Sequence, residues 1–512
     1  MTKVLDRSPS EAAARGSAPR RAPLRTATDG IRNDTARRGP FRPQVWLNAR
    51  QRQAARLAPH YFRLADVIVV SLASGTCAIM SPGALAAAPV ASVAPLVLGA
   101  VALLGLMRIA GLYTFPADRG PLAHVTAAGM LAATAAAVVW LSGRLFGEAP
   151  GMGVAWISVV PATVILLHAL WSVMIHRWRA SGALTPNVVL VGATRHAEGL
   201  IQLALQRRDI NVLGVFDDRL ARTPDALVGV PVLGRAADLL THPMVPYVDR
   251  VVVAIDPGAQ ARVRELTAQL AVLPNEVTLL VDPEGTGEQA AALDRLARSA
   301  LAPLEGPVDH DRRAFEKRLQ DLIVGSLALI ALAPVMAVTA LLIKLDGPGP
   351  IFFRQRRHGF NQEEIVVWKF RTMRPEAADA TASRQVTADD DRVTRVGRFL
   401  RSTSLDELPQ LLNVLTGEMS LVGPRPHAIG MKTGRVESAQ LVADYAHRHR
   451  IKPGMTGWAA IKGSRGPMHD AAAVRRRVSL DIEYIERQSV WLDLWIMAVT
   501  IPVLLGDRQA VR

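Results

Sequence analysis

Five long apolar stretches constrain the fold of this chain more than any other feature. Four follow one another at 64–80, 90–107, 122–140 and 154–174, and the fifth covers 322–343. Each has roughly the length that an α-helix needs to cross the hydrocarbon core of a bilayer. The alternative is the buried core of a soluble protein, but stretches so nearly free of charge argue against it. Hydrophobic residues make up 50% of the chain and charged residues only 21%, so we predict a membrane protein with four N-terminal spans within 61–176.

The charges between these stretches predict their orientation. Residues 1–60 contain 13 Lys and Arg against four Asp and Glu. The turn after the second stretch carries Arg108 and Arg119, and the fourth stretch is followed by Arg177 and Arg179. Basic flanks stay on the cytoplasmic side of a membrane. We therefore expect a multi-pass membrane protein with all three basic flanks in the cytoplasm.

The basic arm at 1–60 is rich in Arg, Ala, Pro and Ser and has no apolar period. This composition is typical of a disordered segment, held near anionic lipid by its charge. The net charge of +15 also fits nucleic acid as a partner. Aromatic residues for stacking on bases are not interleaved with the basic ones, so we expect no nucleic acid.

Residues 186–285 have a different character, because short apolar runs alternate with helical patterns. The runs lie at 187–194, 211–218, 250–256 and 276–282. This alternation predicts a parallel, Rossmann-like α/β domain, followed by a linker at 286–310. The first turn has one glycine, Gly192, where a dinucleotide site has three. A nucleotide site and a purely structural or regulatory role both remain open.

The fifth apolar stretch, 322–343, has basic residues on both sides. Arg and Lys recur in 311–318 before it and in 344–374 after it. A straight crossing would place one basic flank outside the cell. Pro334 lies near the middle, where a proline removes a backbone hydrogen bond and bends a helix. We expect a re-entrant helix that breaks at Pro334 and returns to the cytoplasm; a kinked span is the alternative.

Two adjacent carboxylates, Asp406 and Glu407, interrupt an apolar helical face. That face is formed by Leu405, Leu408, Leu411, Leu412 and Leu415. Ser404 and Glu407 have the spacing of a capping box, whereas an Asp406 cap would place Pro409 in the first turn. Either arrangement puts both acids at a helix N-terminus, which favours their charged form. Ordinary capping is one interpretation; a nucleophile or a metal ligand is the other.

Many cations accompany this pair in the same short domain, and they favour the second interpretation. They are Lys369, Arg371, Arg392, Arg395, Arg398, Arg401 and Arg425. A diphosphate substrate would supply negative charge for the arginines and would require a divalent cation held by carboxylate. A helix-rich α/β catalytic domain at 311–512, anchored by the re-entrant helix, is the resulting prediction.

Five motifs make the chain resemble the bacterial sugar transferases. They are "FFRQRRHGF" (352–360), "KFRTM" (369–373), "DDRVTRVGRFLRSTSLDELPQLLNVLTGEMSLVGPRP" (390–426), "HRIKPGMTGWA" (449–459) and "LDIEYIE" (480–486). The resemblance is to polyprenyl-phosphate sugar-1-phosphate transferases with one re-entrant helix. It is strongest to the long, undecaprenyl-phosphate glucose phosphotransferase-like members that begin exopolysaccharide or capsule synthesis.

This resemblance implies a reaction and its participants. Asp406 would attack the sugar-bearing phosphate of a UDP-sugar and hold the phosphosugar covalently while UMP leaves. Undecaprenyl phosphate in the inner leaflet would then accept the phosphosugar. Glu407, together with Asp406, would hold Mg²⁺. UDP-glucose is the expected donor, UDP-galactose is the alternative, and a homo-oligomer is possible.

The resemblance also assigns substrate contacts. Arg425, between Pro424 and Pro426, would grip the nucleotide phosphates. Lys369, Arg371 and Arg401 are further candidates, although each is equally compatible with a solvated or lipid-facing charge. The final apolar run at 490–505 is short for a crossing and contains tryptophans, which indicates an interfacial helix.

Two positions depart from the family pattern, and neither belongs to the expected catalytic set. Ala460 stands where Gln is frequent after "GWA", and Gln488 stands where Trp is frequent. They affect expectations about local packing or sugar preference. A nonenzymatic alternative is a membrane-anchored, nucleotide-sensing scaffold of polysaccharide assembly that is built on the α/β domain.

Overall fold

The computed structural model describes most of the chain from residue 47 onwards. The described residues are 47–79, 90–116, 119–146, 150–207, 210–255, 260–270, 272–279, 309–375, 390–433, 436–437, 441–464, 466, 468 and 470–506. The predicted arm, up to residue 46, and nearly all of the predicted linker at 286–310 lie outside them.

The four N-terminal apolar stretches all form helices. A short helix α1 (Ala49–Arg56) precedes α2 (Ala58–Ile79), α3 (Val90–Ile109), α4 (Pro121–Leu145) and α5 (Pro150–Ala180). Among the described residues, α1–α2, α4, α5 and a later helix, Asp311–Leu345, are long and apolar enough to cross a membrane. Val93–Ile109 and Val490–Thr500 are shorter apolar helices. The chain is therefore a membrane protein.

Small residues let the membrane helices pack closely. Ala128, Ala132 and Ala135 on α4 are fully buried against neighbouring helices. Small side chains at such spacing allow helix backbones to approach within a bilayer. Large apolar side chains such as Leu72 and Leu166 point outward and are 66% and 70% exposed, as expected for surfaces that face lipid.

Helix α1 corrects the prediction that all of 1–60 is a disordered arm. Asn48 caps this helix and forms a capping box with Gln51. Arg50 pairs with Glu363, Nε to Oε2 at 2.9 Å, and Arg52 pairs with Asp249 at 2.7 Å. Arg50 and Arg52 of α1 are thus bound to acids far away in the sequence. Composition could not reveal these partners.

The predicted α/β domain is present as a six-stranded sheet. Its elements are β1 (Asn187–Val191), α6 (Arg195–Arg207), β2 (Asn211–Phe216), β3 (Ala226–Leu227), β4 (Val230–Gly234), α7 (Ala236–Leu239), β5 (Arg250–Val253), α8 (Gln260–Leu270) and β6 (Glu276–Leu279). The strand order is β3-β4-β2-β1-β5-β6, parallel except between β3 and β4. Apolar clusters cover both faces of this sheet, as a buried parallel sheet requires.

The C-terminal domain begins with one long helix, α9 (Asp309–Leu345). A hairpin follows, formed by β7 (Phe352–His358) and β8 (Glu364–Phe370). Next come α10 (Arg395–Thr403), α11 (Gln410–Thr416), β9 (Ser420–Val422), β10 (Lys432–Thr433), β11 (Val436–Glu437), β12 (Gly454–Thr456), α12 (Trp458–Ile461), α13 (Ala471–Arg487) and α14 (Val490–Gly506). Strand β9 pairs in parallel with β12.

Helix α9 continues through Pro334 and is not divided into two helices there. Both ends of its apolar stretch attach to the C-terminal domain. Directly before that stretch, Asp321 accepts hydrogen bonds from the hydroxyl of Ser420 and the amide of Leu421, each at 2.9 Å. Near its end, the carbonyl of Ile343 accepts a hydrogen bond from Arg371 at 2.9 Å. The predicted break at Pro334 is therefore not seen as an interruption of the helix, and the re-entrant path stays a prediction.

Candidate active site

Asp406 and Glu407 lie in a single tight turn between two helices. Ser404 ends α10 in the left-handed region, with φ of 59°, and the turn Leu405–Glu407 follows. Pro409 is the N-cap of α11. The predicted capping box is therefore wrong, since the left-handed Ser404 cannot cap the next helix and both acids precede it by a turn. The predicted apolar face also needs correction, because Leu411 is buried whereas Leu412 is 38% exposed.

Glu407 is clamped by two cations that come from distant parts of the sequence. Its Oε1 accepts a hydrogen bond from Lys369 Nζ on β8 at 2.9 Å. Arg425, in the loop after β9, donates through Nη1 to Oε2 at 3.2 Å and through Nη2 to Oε1. Burial by itself would raise the pKa of Glu407, but the attraction of Arg425 and Lys369 outweighs it and lowers that pKa well below its ordinary value. Glu407 is thus ionised.

Asp406 is equally buried but is much less well supported. Its Oδ1 has no hydrogen-bond partner among the residues that the structure describes. Burial raises the pKa of Asp406 to about 6, although Lys369 and Arg401 oppose this shift by attraction. The carboxylate is therefore ionised at neutral pH, yet one oxygen is left without a donor. Such an oxygen is suited to attack an electrophile or to bind a cation.

The segment that carries Arg425 is fixed through its backbone. Pro424 accepts a hydrogen bond from Gly454 N at 2.9 Å. The carbonyl of Arg425 accepts one from Arg448 Nη2 at 2.7 Å. The carbonyl of Pro426 accepts one from Arg357 Nη1. Both flanking prolines thus belong to a braced loop, which directs the Arg425 guanidinium toward Glu407.

Arg357, Arg448 and Asp481 support this site, although the sequence did not single them out. Arg448 is 2% exposed and pairs with Asp481 of α13 at 2.8 Å. Burial and the nearby Arg425 lower the pKa of Arg357 to about 10. All three lie in or beside the motifs that carry the family resemblance, and this position was the one indication in the sequence that they belong to the site. Their role became visible only when the fold brought them beside the Arg425 loop.

Two other predicted contacts have different outcomes. Arg401 lies close enough to Asp406 for its charge to lower the pKa of that acid. Its Nε donates a hydrogen bond to Thr372 Oγ1 at 2.8 Å. Arg371 does not join the acidic pair. Its guanidinium donates to the carbonyls of Ile343, Gly347 and Pro348 at 2.9, 2.8 and 2.6 Å. In the structure, Arg371 therefore fixes the end of α9, because the chain after this helix turns away and leaves carbonyls that need a donor.

The residues present suit Mg²⁺ only in combination with a substrate. In the part of the chain that the structure describes, no group of three or more His, Cys, Asp or Glu side chains is placed to hold a metal ion. Mg²⁺ commonly takes one or two protein carboxylates and completes its shell with phosphate oxygens and water. The unpartnered oxygen of Asp406, with Glu407 beside it, matches that donor set.

The charges around the pair define what the site can accept. Four cations, Lys369, Arg357, Arg401 and Arg425, surround the Asp406–Glu407 pair, and Asp390 is a further carboxylate near Arg401. Charge-assisted hydrogen bonds from Arg and Lys are the usual way to bind phosphate. The arrangement thus combines a carboxylate nucleophile with a phosphate-binding surface.

Known proteins resemble the chain over both of its main domains. The family model of the bacterial sugar transferases matches residues 312–507. An undecaprenyl-phosphate glucose phosphotransferase of Komagataeibacter xylinus is 36% identical over 376 residues, which are 71% of this chain and 68% of that protein. The chain belongs to the bacterial sugar transferase family. It is a transferase enzyme, as the sequence motifs predicted.

Other members of the family differ in the sugar that their names carry. A UDP-glucose:undecaprenyl-phosphate glucose-1-phosphate transferase of Xanthomonas campestris pv. campestris is 36% identical over 69% of this chain and 72% of its own length. A UDP-N-acetylgalactosamine-undecaprenyl-phosphate N-acetylgalactosaminephosphotransferase of Aeromonas hydrophila is 39% identical, over 38% of this chain and 44% of its own length. The relatives that match the longer share of the chain are thus those named for glucose.

The α/β domain of the transferase falls within a second family match, since a CoA-binding domain model covers residues 125–280. Its first turn is tightly closed. Gly192 has φ of +107°, and a Cβ there would lie 2.7 Å from the carbonyl oxygen of Ala254. The amide of Ala193 donates to Asp217 Oδ2 at 2.7 Å. The backbone group that would meet a phosphate in a dinucleotide fold is therefore already bound within the protein.

Proposed function

We propose that the transferase moves a sugar 1-phosphate from a UDP-sugar to undecaprenyl phosphate and thereby starts exopolysaccharide or capsule synthesis. Asp406 is the nucleophile, and the phosphosugar passes through a covalent intermediate on its carboxylate. Glucose 1-phosphate is the expected group, because the relatives matched over most of this chain are named for glucose.

The contrast between the two buried acids carries this proposal. Glu407 is fixed by Lys369 and Arg425, whereas Asp406 keeps one oxygen without a hydrogen-bond donor. A nucleophile needs a free lone pair at the moment of attack, whereas a residue that orients phosphate-binding cations must be hydrogen-bonded to them. Asp406 is arranged for the first role and Glu407 for the second.

The first step exchanges one bond at phosphorus for another. An Asp406 oxygen bonds to the sugar-bearing phosphorus of the UDP-sugar, and the bond from that phosphorus to the bridging oxygen breaks, so that UMP leaves. In the second step, a phosphate oxygen of undecaprenyl phosphate attacks the same phosphorus. The bond to Asp406 then breaks and restores the carboxylate. The product is a lipid diphosphate-sugar.

The cations supply the stabilisation that phosphoryl transfer requires. Arg425 and Lys369 lie beside the pair and meet the negative oxygens of the diphosphate. Mg²⁺ bound by Asp406 and Glu407 would neutralise additional phosphate charge. Arg448 and Arg357 contribute indirectly, because they donate to the carbonyls of Arg425 and Pro426 and so hold the backbone that carries the Arg425 side chain.

The attachment of α9 supports a site on the cytoplasmic face of the inner membrane. The middle of this helix is apolar and exposed, with Leu327 and Ile330 at 62% and 72%. Asp321 and Ile343, at the two ends of its apolar stretch, bind the same polar domain. A helix that crossed the bilayer would carry its ends to opposite faces. We therefore assign α9 a re-entrant path, so that the acidic pair meets both a soluble donor and a lipid phosphate.

Trapping the intermediate tests the proposal directly. With a UDP-sugar labelled in the sugar-bearing phosphate and no lipid acceptor, the purified enzyme should retain label. Asp406→Asn should retain none and should form no lipid-linked sugar. Asp391→Asn, which removes an exposed carboxylate in the same domain, is the matched control. Full activity of Asp406→Asn would exclude the covalent route, and a panel of UDP-sugars would identify the donor.

A further inference from the structure

A cavity of about 190 Å³ lies where three parts of the protein meet. Helix α1, the amino ends of strands β1 and β5, and the segment 443–450 of the catalytic domain contribute its walls. Its charged or ionisable lining consists of Arg52, Arg56, Asp249, Arg250, His449 and Arg450. It shares no residue with the Asp406 site and lies at the sheet edge opposite the first turn.

Specific contacts hold the three walls together. Asn48 Nδ2 of the α1 cap donates to Glu363 of the catalytic domain at 2.7 Å. Asn361 Nδ2 of the catalytic domain donates to the carbonyls of Val245 and Val248 in the α/β domain, at 3.0 and 3.1 Å. Because both neighbouring domains are anchored in this way, the cavity is a built feature of the fold and not a loose gap between domains.

The lining of the cavity carries more positive than negative charge. Four arginines line it, and Asp249, the one carboxylate of the lining, already pairs with Arg52 at 2.7 Å. Arg56 Nε is enclosed and has no hydrogen-bond partner among the described residues. An enclosed guanidinium donor without an acceptor is costly unless an anion fills the space.

The position of the cavity relative to the membrane narrows the choice of anion. Arg56 lies two residues before α2, and Leu184 in the lining follows shortly after α5. Both helices belong to the membrane bundle, so the cavity opens at the level where their basic flanks meet the head groups. Guanidinium groups bind phosphate and carboxylate alike, and at the level of the head groups phosphate is the anion that anionic lipids present.

We propose that this cavity binds a phosphate group, carried either by an anionic lipid head group or by a soluble phosphate compound. His449 and Arg450 directly follow Arg448, which holds the carbonyl of Arg425. An occupied cavity therefore stiffens the segment that positions a substrate-binding arginine. The site is distinct from the catalytic one and stands whether or not the Asp406 mechanism is right.

The test uses the full chain in nanodiscs of phosphatidylcholine, with inorganic phosphate as the probe and binding followed by calorimetry. Arg56→Gln and Arg450→Gln should each weaken one class of phosphate binding by about tenfold, the loss expected for one charge-assisted hydrogen bond. Arg264→Gln, an exposed position on α8, removes the same charge elsewhere and should bind as the unaltered protein does. Phosphate can also bind to the cations around Glu407 in every variant. The readout is therefore the difference in phosphate affinity between Arg56→Gln or Arg450→Gln and the control Arg264→Gln.

A second arm distinguishes the two sources of phosphate. In nanodiscs containing phosphatidylglycerol, a lipid-occupied cavity would no longer bind inorganic phosphate, and native mass spectrometry would show phosphatidylglycerol retained by the unaltered protein but not by Arg56→Gln. A cavity for soluble phosphate would bind the probe equally in both membranes. The proposal is overturned if neither phosphate affinity nor lipid retention separates Arg56→Gln and Arg450→Gln from Arg264→Gln.

Discussion

Asp406 and Glu407 are neighbours in the chain, yet their charged forms affect stability in opposite directions. The pKa of Asp406 is raised by burial, so its ionisation costs folding free energy once the pH exceeds its ordinary range. The pKa of Glu407 is lowered because Arg425 and Lys369 outweigh its burial. Its charge therefore contributes stability at neutral pH, and this contribution is lost as the pH falls below the ordinary range of a glutamate.

The same chemical change at these two positions should consequently have opposite effects on unfolding at pH 7. Asp406→Asn removes a poorly supported charge and should stabilise the protein by about 1 kcal/mol. Glu407→Gln leaves Lys369 and the partly exposed Arg425 without their acid and should destabilise it by about 2 kcal/mol. Thermal unfolding in one detergent compares both variants with the unaltered protein. Equal shifts of Tm in the same direction would contradict the different environments of the two acids.

The raised pKa of Asp406 also predicts a pH dependence of catalysis. In the proposed reaction only the ionised carboxylate attacks, so UMP release should be constant above about pH 6, the pKa of Asp406, and fall tenfold per pH unit below it. The measurement is single-turnover UMP release from the UDP-sugar without lipid acceptor, because the acceptor phosphate itself titrates. A rate that stays level down to pH 4.5 or so would show that a carboxyl of ordinary pKa is the nucleophile.

At the scale of elements, one glycine decides where α10 can lie. Thr394 caps this helix by accepting from Gly397 N at 2.9 Å, and Arg401 of the same helix donates to Thr372. A Cβ at Gly397 would lie 2.0 Å from the backbone carbonyl oxygen of Thr372. The helix can therefore approach the end of β8 only because residue 397 has no side chain.

Gly397→Ala should destabilise the protein by about 2 kcal/mol and reduce transfer, because α10 and its Arg401 must move away from Asp406. Alanine in a helix is otherwise favourable. Gly325→Ala in α9 is the matched control, since a Cβ there would meet side chains of Leu415 and Val414 at an ordinary 3.5 Å. It should be neutral or slightly stabilising. Unfolding and transfer assays compare Gly397→Ala with Gly325→Ala. If the two variants are equally stable and equally active, position 397 accepts a side chain and the prediction is wrong.

Elements with a strong period were predictable, and those that depend on distant partners were not. Strands β1, β2, β5 and β6 of the α/β domain fall inside the predicted runs, since a parallel sheet favours continuous apolar residues. The β7–β8 hairpin was missed within a region described as helix-rich. Its polar residues, such as Arg354 stacked on Trp368, conceal the alternation of a half-exposed strand.

The candidate active site was likewise predictable from local sequence only in part. Local sequence was enough to single out the acidic pair and the Pro-Arg-Pro segment. It could not show that Lys369 and Arg425 would bind Glu407, because these contacts span 38 and 18 residues and depend on how β8 and β9 pack. Nor could it show that Arg371, two residues from Lys369 on the chain, is used to fix the end of α9.

At the scale of the whole molecule, the path of α9 decides whether the site can meet its donor. The chain passes from this helix through Pro350 into the β7–β8 hairpin, which carries Lys369. If α9 crossed the bilayer, the segment at 311 and the hairpin would face opposite compartments. Asp321 and Ile343 would then have to bind one polar domain from both faces of the membrane, which the hydrocarbon core does not allow.

Cysteine labelling in spheroplasts tests this topology. In a Cys77→Ala background, Arg312→Cys and Pro350→Cys should both resist a membrane-impermeant maleimide and react only after permeabilisation, because the proposed re-entrant path leaves both ends of α9 in the cytoplasm. Phe146→Cys, at the end of α4, should react in intact spheroplasts, since α4 begins at the turn that carries Arg119 and is predicted to be cytoplasmic. Labelling of Pro350→Cys without permeabilisation would place Lys369 and Glu407 on the outer face. A cytoplasmic UDP-sugar could not reach them there, so this result would contradict both the re-entrant path and the proposed reaction.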